Sequence, residues 1–374
     1  MPETPDRPAL TDPFEIGGVQ ISNRVLLAPL ASIGNWFVRL QARRFGAGMA
    51  VSEMVSSFGL HYGNEKTMTE LMRIHPDEHP VSIQLFGHDP VAMKSGAEIA
   101  ARSGADLIDI NMGCPVPKVR KTGAGAELLA DPELALDVAR AAAEGSGLPV
   151  TVKIRSGLMP GDRSGFDLAV RLVEEAGVQA IGFHPRVAKQ GHKGRPDYAM
   201  ALELSETIDV PMIISGGLSD ADAARRAYEE SGADAVMIAR GALGYPWVFA
   251  ELTGQRIEPP EPAEMMDELL WVMDRAEEHL GPERAGRYLR KFYPWYLDRL
   301  DVPKLVKNEL CQTAGLERAR EIVAEIRDGQ PVAVGSRRLS FARSVKKDVR
   351  TRPSGSRRLS SAPSVEKDVR TRPS

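Results

Sequence analysis

Between residue 25 and about residue 250, short apolar runs rich in β-branched residues alternate with longer stretches in which apolar and polar positions recur at helical spacing. The runs are VLLAPLA (25–31), MAVSEMV (49–55), VSIQLFG (81–87), LIDINMG (107–113), VTVKIRSG (150–157), AIGFHPRV (180–187), PMIISGG (211–217) and AVMIARG (235–241), eight strands in all. The intervening stretches include 89–103, entered by Asp89-Pro90, 131–144, entered by Asp131-Pro132, and 219–231, entered by Ser219. Each start has a residue able to accept from the free N–H groups of a first helical turn, and two have proline where its missing N–H costs nothing. Repetition of the strand–helix unit over roughly 225 residues predicts an α/β fold, a parallel sheet closed into a (β/α)8 TIM barrel, whose usual length is about 250 residues. A doubly wound open sheet normally shows a GxGxxG turn after its first strand. This first strand ends in Ala28-Pro29-Leu30-Ala31-Ser32.

Two segments flank the barrel pattern. FEIGGVQI (14–21) predicts a hairpin around Gly17-Gly18, suited to plugging the barrel floor. Pro259, Pro260 and Pro262 mark a linker, after which 263–328 shows helical periodicity with an aromatic and basic segment, RYLRKFYPWYLDRL (287–300). The expected division is a barrel over 1–255, a small all-α helical domain over 263–328 and a basic tail over 335–374.

Charge changes this picture at the end of the chain. Residues 335–354 (GSRRLSFARSVKKDVRTRPS) and 355–374 (GSRRLSSAPSVEKDVRTRPS) are a tandem duplication differing at three positions. The duplication holds 12 of the 48 Lys/Arg and 3 of the 51 Asp/Glu, so residues 1–334 carry a net charge of −12 beneath the overall −3. With few large apolar side chains, the tail cannot offset its ordering entropy and is expected to be disordered when free. It is either a polybasic arm for RNA or another polyanion, or an extension without a role. Elsewhere the composition, 43% hydrophobic and 26% charged, is that of a globular protein. No apolar run approaches the ~18–20 residues of a membrane span, and the start, Met-Pro-Glu-Thr-Pro-Asp, lacks the pattern of a signal peptide. The expectation is a cytoplasmic protein without membrane association or an evident obligate protein partner. Two cysteines, Cys114 and Cys311, are too few for a disulfide framework or a cysteine-rich metal site.

In such a barrel, chemistry sits where strands end and βα loops begin. Strand four runs into Asn111-Met112-Gly113-Cys114-Pro115, which puts a thiol at the mouth, where it can act as nucleophile or proton donor. Cys311 falls in the helical segment and reads as a small buried hydrophobe. Strand five ends in Lys153-Ile154-Arg155, strand six in His184-Pro185-Arg186, strand seven in Ser215-Gly216-Gly217 and strand eight in Arg240-Gly241. Cations beside two glycine turns let backbone N–H groups approach a phosphate closely, the standard phosphate site of this barrel class. Gln84, ending strand three, offers an amide to a heteroaromatic edge, and an isoalloxazine fits this set.

These residues resemble the tRNA-dihydrouridine synthase family, most closely its bacterial B-type branch. The resemblance rests on Ala28-Pro29, Ser52-Glu53-Met54, Gln84, DINMGCPVPKVRKTGAGAELL (109–129), VKIR (152–155), His184-x-Arg186, ISGGLSD (214–220) and MIARGALGYPWVF (237–249), and covers about residues 12–325. It implies an FMN-dependent enzyme that uses NADPH to reduce the 5,6 double bond of particular uridines in tRNA. It also implies that Cys114 protonates uracil C5 after hydride reaches C6, with Asn111 positioning the uracil and Arg186 near the substrate. Gln84, Lys153, His184, Ser215, Gly216, Gly217, Arg240 and Gly241 would bind FMN, with Ala28 and Pro29 lining its pocket. An acid is needed there because hydride addition leaves C5 short of a proton, and a cysteine thiol of ordinary pKa, about 8.5, carries one at neutral pH.

A stacked uracil cannot reach a flavin inside a barrel mouth, so the nucleotide must be turned out of the RNA, and an acidic body needs a local cationic face to hold it. Lys118, Arg120 and Lys121 after Cys114, Lys189, Lys193 and Arg195 after strand six, and Arg284, Arg287, Arg290 and Lys291 in the helical domain are the expected contacts. Tyr293, Trp295 and Tyr296 are available for stacking on bases, although core packing suits at least two of them. The chain departs from the family pattern in Leu30–Trp36, where Met-Ala-Gly-x-Thr-Asp is usual, and at Pro117, Ala126 and Val187. Two alternatives stay open at this level: a flavin barrel reducing a small pyrimidine or enone, and an RNA-binding barrel that has lost catalysis.

Overall fold

The computed structural model describes residues 7–340 except residue 314. A short antiparallel hairpin, β1 (Phe14–Ile16) and β2 (Val19–Ile21), precedes the barrel. Eight parallel strands follow: β3 (Val25–Leu27), β4 (Met49–Val51), β6 (Val81–Phe86), β7 (Leu107–Met112), β8 (Val150–Arg155), β9 (Ala180–His184), β10 (Met212–Ser215) and β11 (Ala235–Ile238). A two-residue strand, β5 (Val55–Ser56), pairs in parallel beside the carboxyl end of β6. Each strand pairs with its sequence neighbour around the ring, β11 returns to β3, and Ala50 and Val51 of β4 pair with Val81 and Ser82 of β6, so the sheet closes. All eight apolar runs of the sequence supply one barrel strand each.

The expected helices form as well. Pro90–Arg102 is capped by Asp89, whose carboxylate accepts from the Ala92 N–H, and Pro132–Ser146 by Asp131, which accepts from Leu134. The third, Ala221–Ser231, is capped by Asp220 and not by Ser219; the Ser219 hydroxyl instead donates to the Asp220 carboxylate, 2.7 Å away. An ionised carboxylate outcompetes a hydroxyl for the partial positive charge of a helix start.

Two apolar clusters fill the molecule. One lies inside the barrel at its amino-terminal end, where Ile16 and Ile21 of the hairpin pack with Leu26, Met49, Leu107, Ala180, Ile213 and Ala235. The hairpin is therefore the floor. The other runs between the strands and the outer helices and continues without a break into the carboxyl-terminal helices Pro262–Leu280, Pro282–Leu289, Tyr293–Leu297, Lys304–Gln312 and Leu316–Asp328. Tyr293 and Tyr296 are buried in it and only Trp295 of that trio keeps some exposure. Gly244 explains how closely helix and barrel meet: at φ +65°, a Cβ there would stand 2.4 Å from the Trp295 carbonyl carbon.

A hairpin of β12 (Val332–Val334) and β13 (Arg337–Leu339) ends the described chain. The hairpin takes in the first residues of the repeat, the partly buried Leu339 pairing with the buried Val332. Residues 341–374, the remainder of the tail, lie outside the described residues. Among those described, no helix is long and apolar enough to cross a membrane.

One ion pair in this frame is fully buried. Arg39, on the helix Trp36–Arg44, forms a two-point bond with Glu78 (Nε to Oε2 2.7 Å, Nη2 to Oε1 3.0 Å), with relative side-chain exposures of 1% and 0%. Glu78 also accepts from the His75 N–H, and Arg39 donates to the carbonyls of Gly34 and Arg73. Glu78→Ala would strand the guanidinium without a counter-charge, and such losses cost about 3–5 kcal/mol. Urea unfolding should show that drop; a loss below about 1 kcal/mol would mean that water reaches Arg39 as the segment 73–79 relaxes.

Candidate active site

The carboxyl ends of β8 to β11 and the start of the segment after β3 enclose a cavity of about 400 Å³. Of the residues expected around the cofactor, Ala28, Pro29, Lys153, His184, Ser215, Gly216, Gly217, Arg240 and Gly241 line it. Gln84 does not. Arg186, expected near the substrate, lines the same cavity, and so do His192 and Lys193 from the loop after β9.

The glycine at 216 is required by its neighbours. Its φ is +95°, and a Cβ would lie 2.4 Å from both Cδ2 and Nε2 of His184. Arg186 packs beside them, its Nη1 3.1 Å from His184 Nε2 and its Nη2 donating to the Gly194 carbonyl at 2.7 Å. A guanidinium can only donate, so His184 Nε2 accepts and the ring proton sits on Nδ1. Burial and the surrounding Arg155, Lys153 and Arg186 hold His184 well below its ordinary pKa, and burial with Arg240 and Arg155 brings His192 down to about 4. Both imidazoles are neutral at pH 7, leaving the cavity's positive charge to its lysines and arginines. Lys153, half-buried at the cavity wall, donates to the Ser215 hydroxyl at 2.7 Å, and desolvation lowers its pKa to about 8 against the pull of Asp109. The Arg186 Nε is buried and has no hydrogen-bond partner among the described residues.

Beside the cavity lies the thiol loop. Cys114 is half-buried, two residues past the end of β7. The Asn111 side chain organises this turn: Oδ1 accepts from the N–H groups of Gly113 (3.2 Å) and Cys114 (2.9 Å), and the Cys114 carbonyl accepts from the Ala126 N–H. The Asn111 amide donates to Gln84 Oε1 at 2.9 Å, with Met54 Sδ at 3.8 Å. Arg155 ties the loop to the cavity rim, its Nε donating to the Gly113 carbonyl (2.8 Å) and its Nη1 to the Gly191 carbonyl (2.9 Å).

Beneath the thiol loop is a residue that the sequence reading did not single out. Asp109 is fully buried; its Oδ1 accepts from Thr151 Oγ1 and its Oδ2 from Gln84 Nε2, both at 2.6 Å. Gln84, Asp109 and Thr151 stand opposite one another across β6, β7 and β8. The signal was present as an acid in the otherwise apolar run LIDINM, at the same strand parity as Asn111.

The expected RNA contacts divide. Arg120 is paired with Glu127 (2.6 Å), Arg195 with Glu230 (2.7 Å) and Arg284 with Glu70 (2.7 Å), while Arg290 donates to the Thr313 carbonyl and Lys291 to that of Ser32. Lys118, Lys121 and Arg287 are exposed, and no carboxylate partner is seen for them among the described residues.

Barrel, cavity and thiol loop define an enzyme of the (β/α)8 class with a cation-lined mouth. Residues 26–329 match the family model for dihydrouridine synthase, a stretch that includes the carboxyl-terminal helices. The chain is 34% identical to tRNA-dihydrouridine synthase B of Shewanella oneidensis over 77% of its length and 90% of that protein's. It is 36% identical to tRNA-dihydrouridine synthase B of Proteus vulgaris over 76% and 89%. A probable tRNA-dihydrouridine synthase 1 of Synechocystis is 32% identical over 86% and 92%. Among solved structures, the fold is shared with a 2-naphthoyl-CoA reductase complex (TM-score 0.53, 14% identity, 66% of this chain and 52% of that one). Morphinone reductase shares it too (TM-score 0.50, 17% identity, 70% and 94%). The chain belongs to the dihydrouridine synthase family, and it is an oxidoreductase that forms dihydrouridine.

Burial raises the Asp109 carboxyl from its ordinary 3.8 to about 6, against the hydrogen bonds from Gln84 and Thr151 and the charge of Lys153. A carboxyl whose folded pKa is raised favours the folded state below its unfolded pKa, and that advantage is lost as pH climbs through the folded value. At 1.36 kcal/mol per unit the loss is on the order of 3 kcal/mol between about pH 4 and pH 6. Asp109→Asn should therefore melt above the parent at pH 7, with the gap closing by pH 4. A gap that stays constant from pH 4 to 7 in thermal melts would show that Asp109 does not titrate in this range.

Proposed function

We propose that this enzyme reduces the 5,6 double bond of uridines in tRNA, with FMN held in the cavity at the ends of β8–β11, NADPH as the reductant and Cys114 as the acid for uracil C5. The observation that carries the reading is the pairing of the glycine-walled, cation-lined cavity with a thiol on an adjoining loop fixed by Asn111 and Arg155. The residues present suit an anionic, planar cofactor. Gly216 leaves room that a Cβ would fill, Arg186 keeps a buried N–H without a partner among the described residues, and Gly217, Arg240 and Gly241 suit a phosphate. Lys153 and Ser215 at the inner end suit ring oxygens, and Ala28 and Pro29 suit an apolar ring face.

Bound there, FMN supplies the hydride that uracil C6 takes up, with NADPH as the source of electrons. The Cys114 thiol gives its proton to C5, and Asn111, through the two N–H groups it binds, keeps the thiol-bearing backbone in place while that proton moves. Gln84 acts through Asn111, since its side chain is 1% exposed and bonded on both sides. Lys118, Lys121 and Arg287, exposed and without a carboxylate partner among the described residues, together with Lys193 at the cavity rim, suit the phosphates flanking a turned-out nucleotide. The helices from Pro262 onward support the RNA body, for which the names of the relatives speak. The relatives and the absence of a spanning helix among the described residues support a cytoplasmic enzyme. No obligate protein partner is invoked.

Unmodified tRNA incubated with FMN, NADPH and the protein should gain dihydrouridine by mass spectrometry. Cys114→Ala should keep its flavin and still oxidise NADPH while dihydrouridine falls at least 100-fold, and an undiminished yield would remove Cys114 from the role of acid. Gly216→Ala should fold yet lose yellow colour on gel filtration, its FMN affinity down at least tenfold. Full flavin retention would place the cofactor elsewhere than beside residue 216.

A further inference from the structure

We propose that Asp109 is a positioning residue: as a fixed acceptor it sets the polarity of the Gln84 and Asn111 side chains in series, and through them the conformation of the loop that carries Cys114. The proposal rests on the reading of Cys114 as the acid. An ionised carboxylate accepts hydrogen bonds and donates none. Both Asp109 oxygens are filled, by Thr151 Oγ1 and by Gln84 Nε2, each at 2.6 Å. Gln84 must therefore turn its NH2 toward Asp109 and its carbonyl toward residue 111. Facing that carbonyl, Asn111 must present its own NH2, at 2.9 Å. Only then does the Asn111 carbonyl face the Gly113 and Cys114 N–H groups, which it accepts at 3.2 and 2.9 Å.

Reversing either amide sets carbonyl against carboxylate or NH2 against backbone N–H, and Gln84, Asp109 and Asn111 are 1%, 3% and 9% exposed, so water cannot repair the fault. An uncharged residue at 109 would spare the fold a buried anion, and packing alone gives no reason for a carboxylate there. As an acceptor on both oxygens, Asp109 holds the chain of amides in one direction, and it remains ionised at neutral pH because its pKa is raised only to about 6.

The test moves the carboxylate along the chain. With Asp109→Asn the new amide can face Thr151 with its NH2 and Gln84 with its carbonyl, so the polarity survives. With Asn111→Asp, the new carboxylate accepts from the Cys114 N–H but has nothing to donate to Gln84, and Gln84 cannot turn without setting its carbonyl against Asp109. In the double variant D109N/N111D, Gln84 turns round, and every group from Thr151 to Cys114 is again satisfied. A second pair works by the same logic: Gln84→Glu breaks the chain at Asp109, and D109N/Q84E restores it with Asn111 in its original sense.

The readout is the rate at which iodoacetamide alkylates Cys114 in flavin-loaded full-length protein without RNA, followed by peptide mass spectrometry so that Cys311 does not interfere. Alongside it, kcat and KM for dihydrouridine formation are measured. Asp109→Asn should stay within about threefold of the parent alkylation rate. Asn111→Asp and Gln84→Glu should each change it at least tenfold and cut kcat at least 100-fold with less effect on KM, and each double variant should return the rate to within threefold. Double variants no better than their single partners would overturn the proposal. So would an Asp109→Asn variant as altered as Asn111→Asp, which would make the charge itself the requirement. If Asn111→Asp fails to fold, the Gln84 pair decides. Alkylation does not depend on turnover, so loss of the rescue in an enzyme that makes dihydrouridine defeats this proposal alone. Rescue in a protein that makes none would defeat the functional reading instead.

Discussion

Closure of the parallel sheet, completed where Ala50 and Val51 pair with Val81 and Ser82, is the constraint from which the other features follow. A closed parallel barrel brings every strand's carboxyl end to one rim, so that Lys153, His184, Ser215 and Arg240, far apart in sequence, share one cavity. The same closure leaves the opposite end open, and the hairpin Phe14–Ile21 fills it with Ile16 and Ile21. It also forces polar side chains on the inner face of the strands to find partners among themselves, because no water column runs through a packed barrel. Asp109, Thr151, Gln84 and Asn111 satisfy one another for that reason.

Two kinds of buried charge coexist in this barrel. Arg39 and Glu78 neutralise each other with two bonds and hold the segment 73–79 to the first barrel helix, which is a structural use of burial. Asp109, Lys153, Arg155 and His184 are different. Burial pushes each toward its neutral form, with the carboxyl raised and the three bases lowered. Groups held against their own solvation in this way make the upper barrel less stable than an apolar equivalent, which is common where geometry serves chemistry. Their cost falls in the rim half, while the floor is packed by the apolar side chains around Ile16, Ile21 and Leu107.

Much of this was legible in the sequence. The eight strands could be read because each is a short run buried on both faces, and two of the helix starts because Asp-Pro leaves little ambiguity. The cavity could be read because glycine and cations recur at the ends of consecutive strands, a regularity carried by chain order alone. What escaped depends on cross-strand register. The register of Gln84 opposite Asp109, which sets its side chain between Asp109 and Asn111, is one example. The pairing of Arg120 with Glu127 and of Arg284 with Glu70 is likewise invisible until the loops are placed in space. The helix cap falls on Asp220, one position beyond Ser219, a difference within the usual uncertainty of a helix start read from sequence.

The helices after Pro262 grip one rim loop through specific polar contacts in addition to the shared apolar core. Lys291 donates to the Ser32 carbonyl, Tyr288 to that of Ile33, and the Asn35 amide to the Tyr288 hydroxyl, while Ser32, at φ +67°, has its N–H bound by the Glu53 carboxylate. The loop so gripped is the one that departs most from the family's usual wording. It works as a hinge pin driven home: the helical arm has no free swing over the mouth. Anything resting on that arm arrives at the cavity at a preset angle and distance, set jointly by this loop and by the apolar core that the arm shares with the barrel.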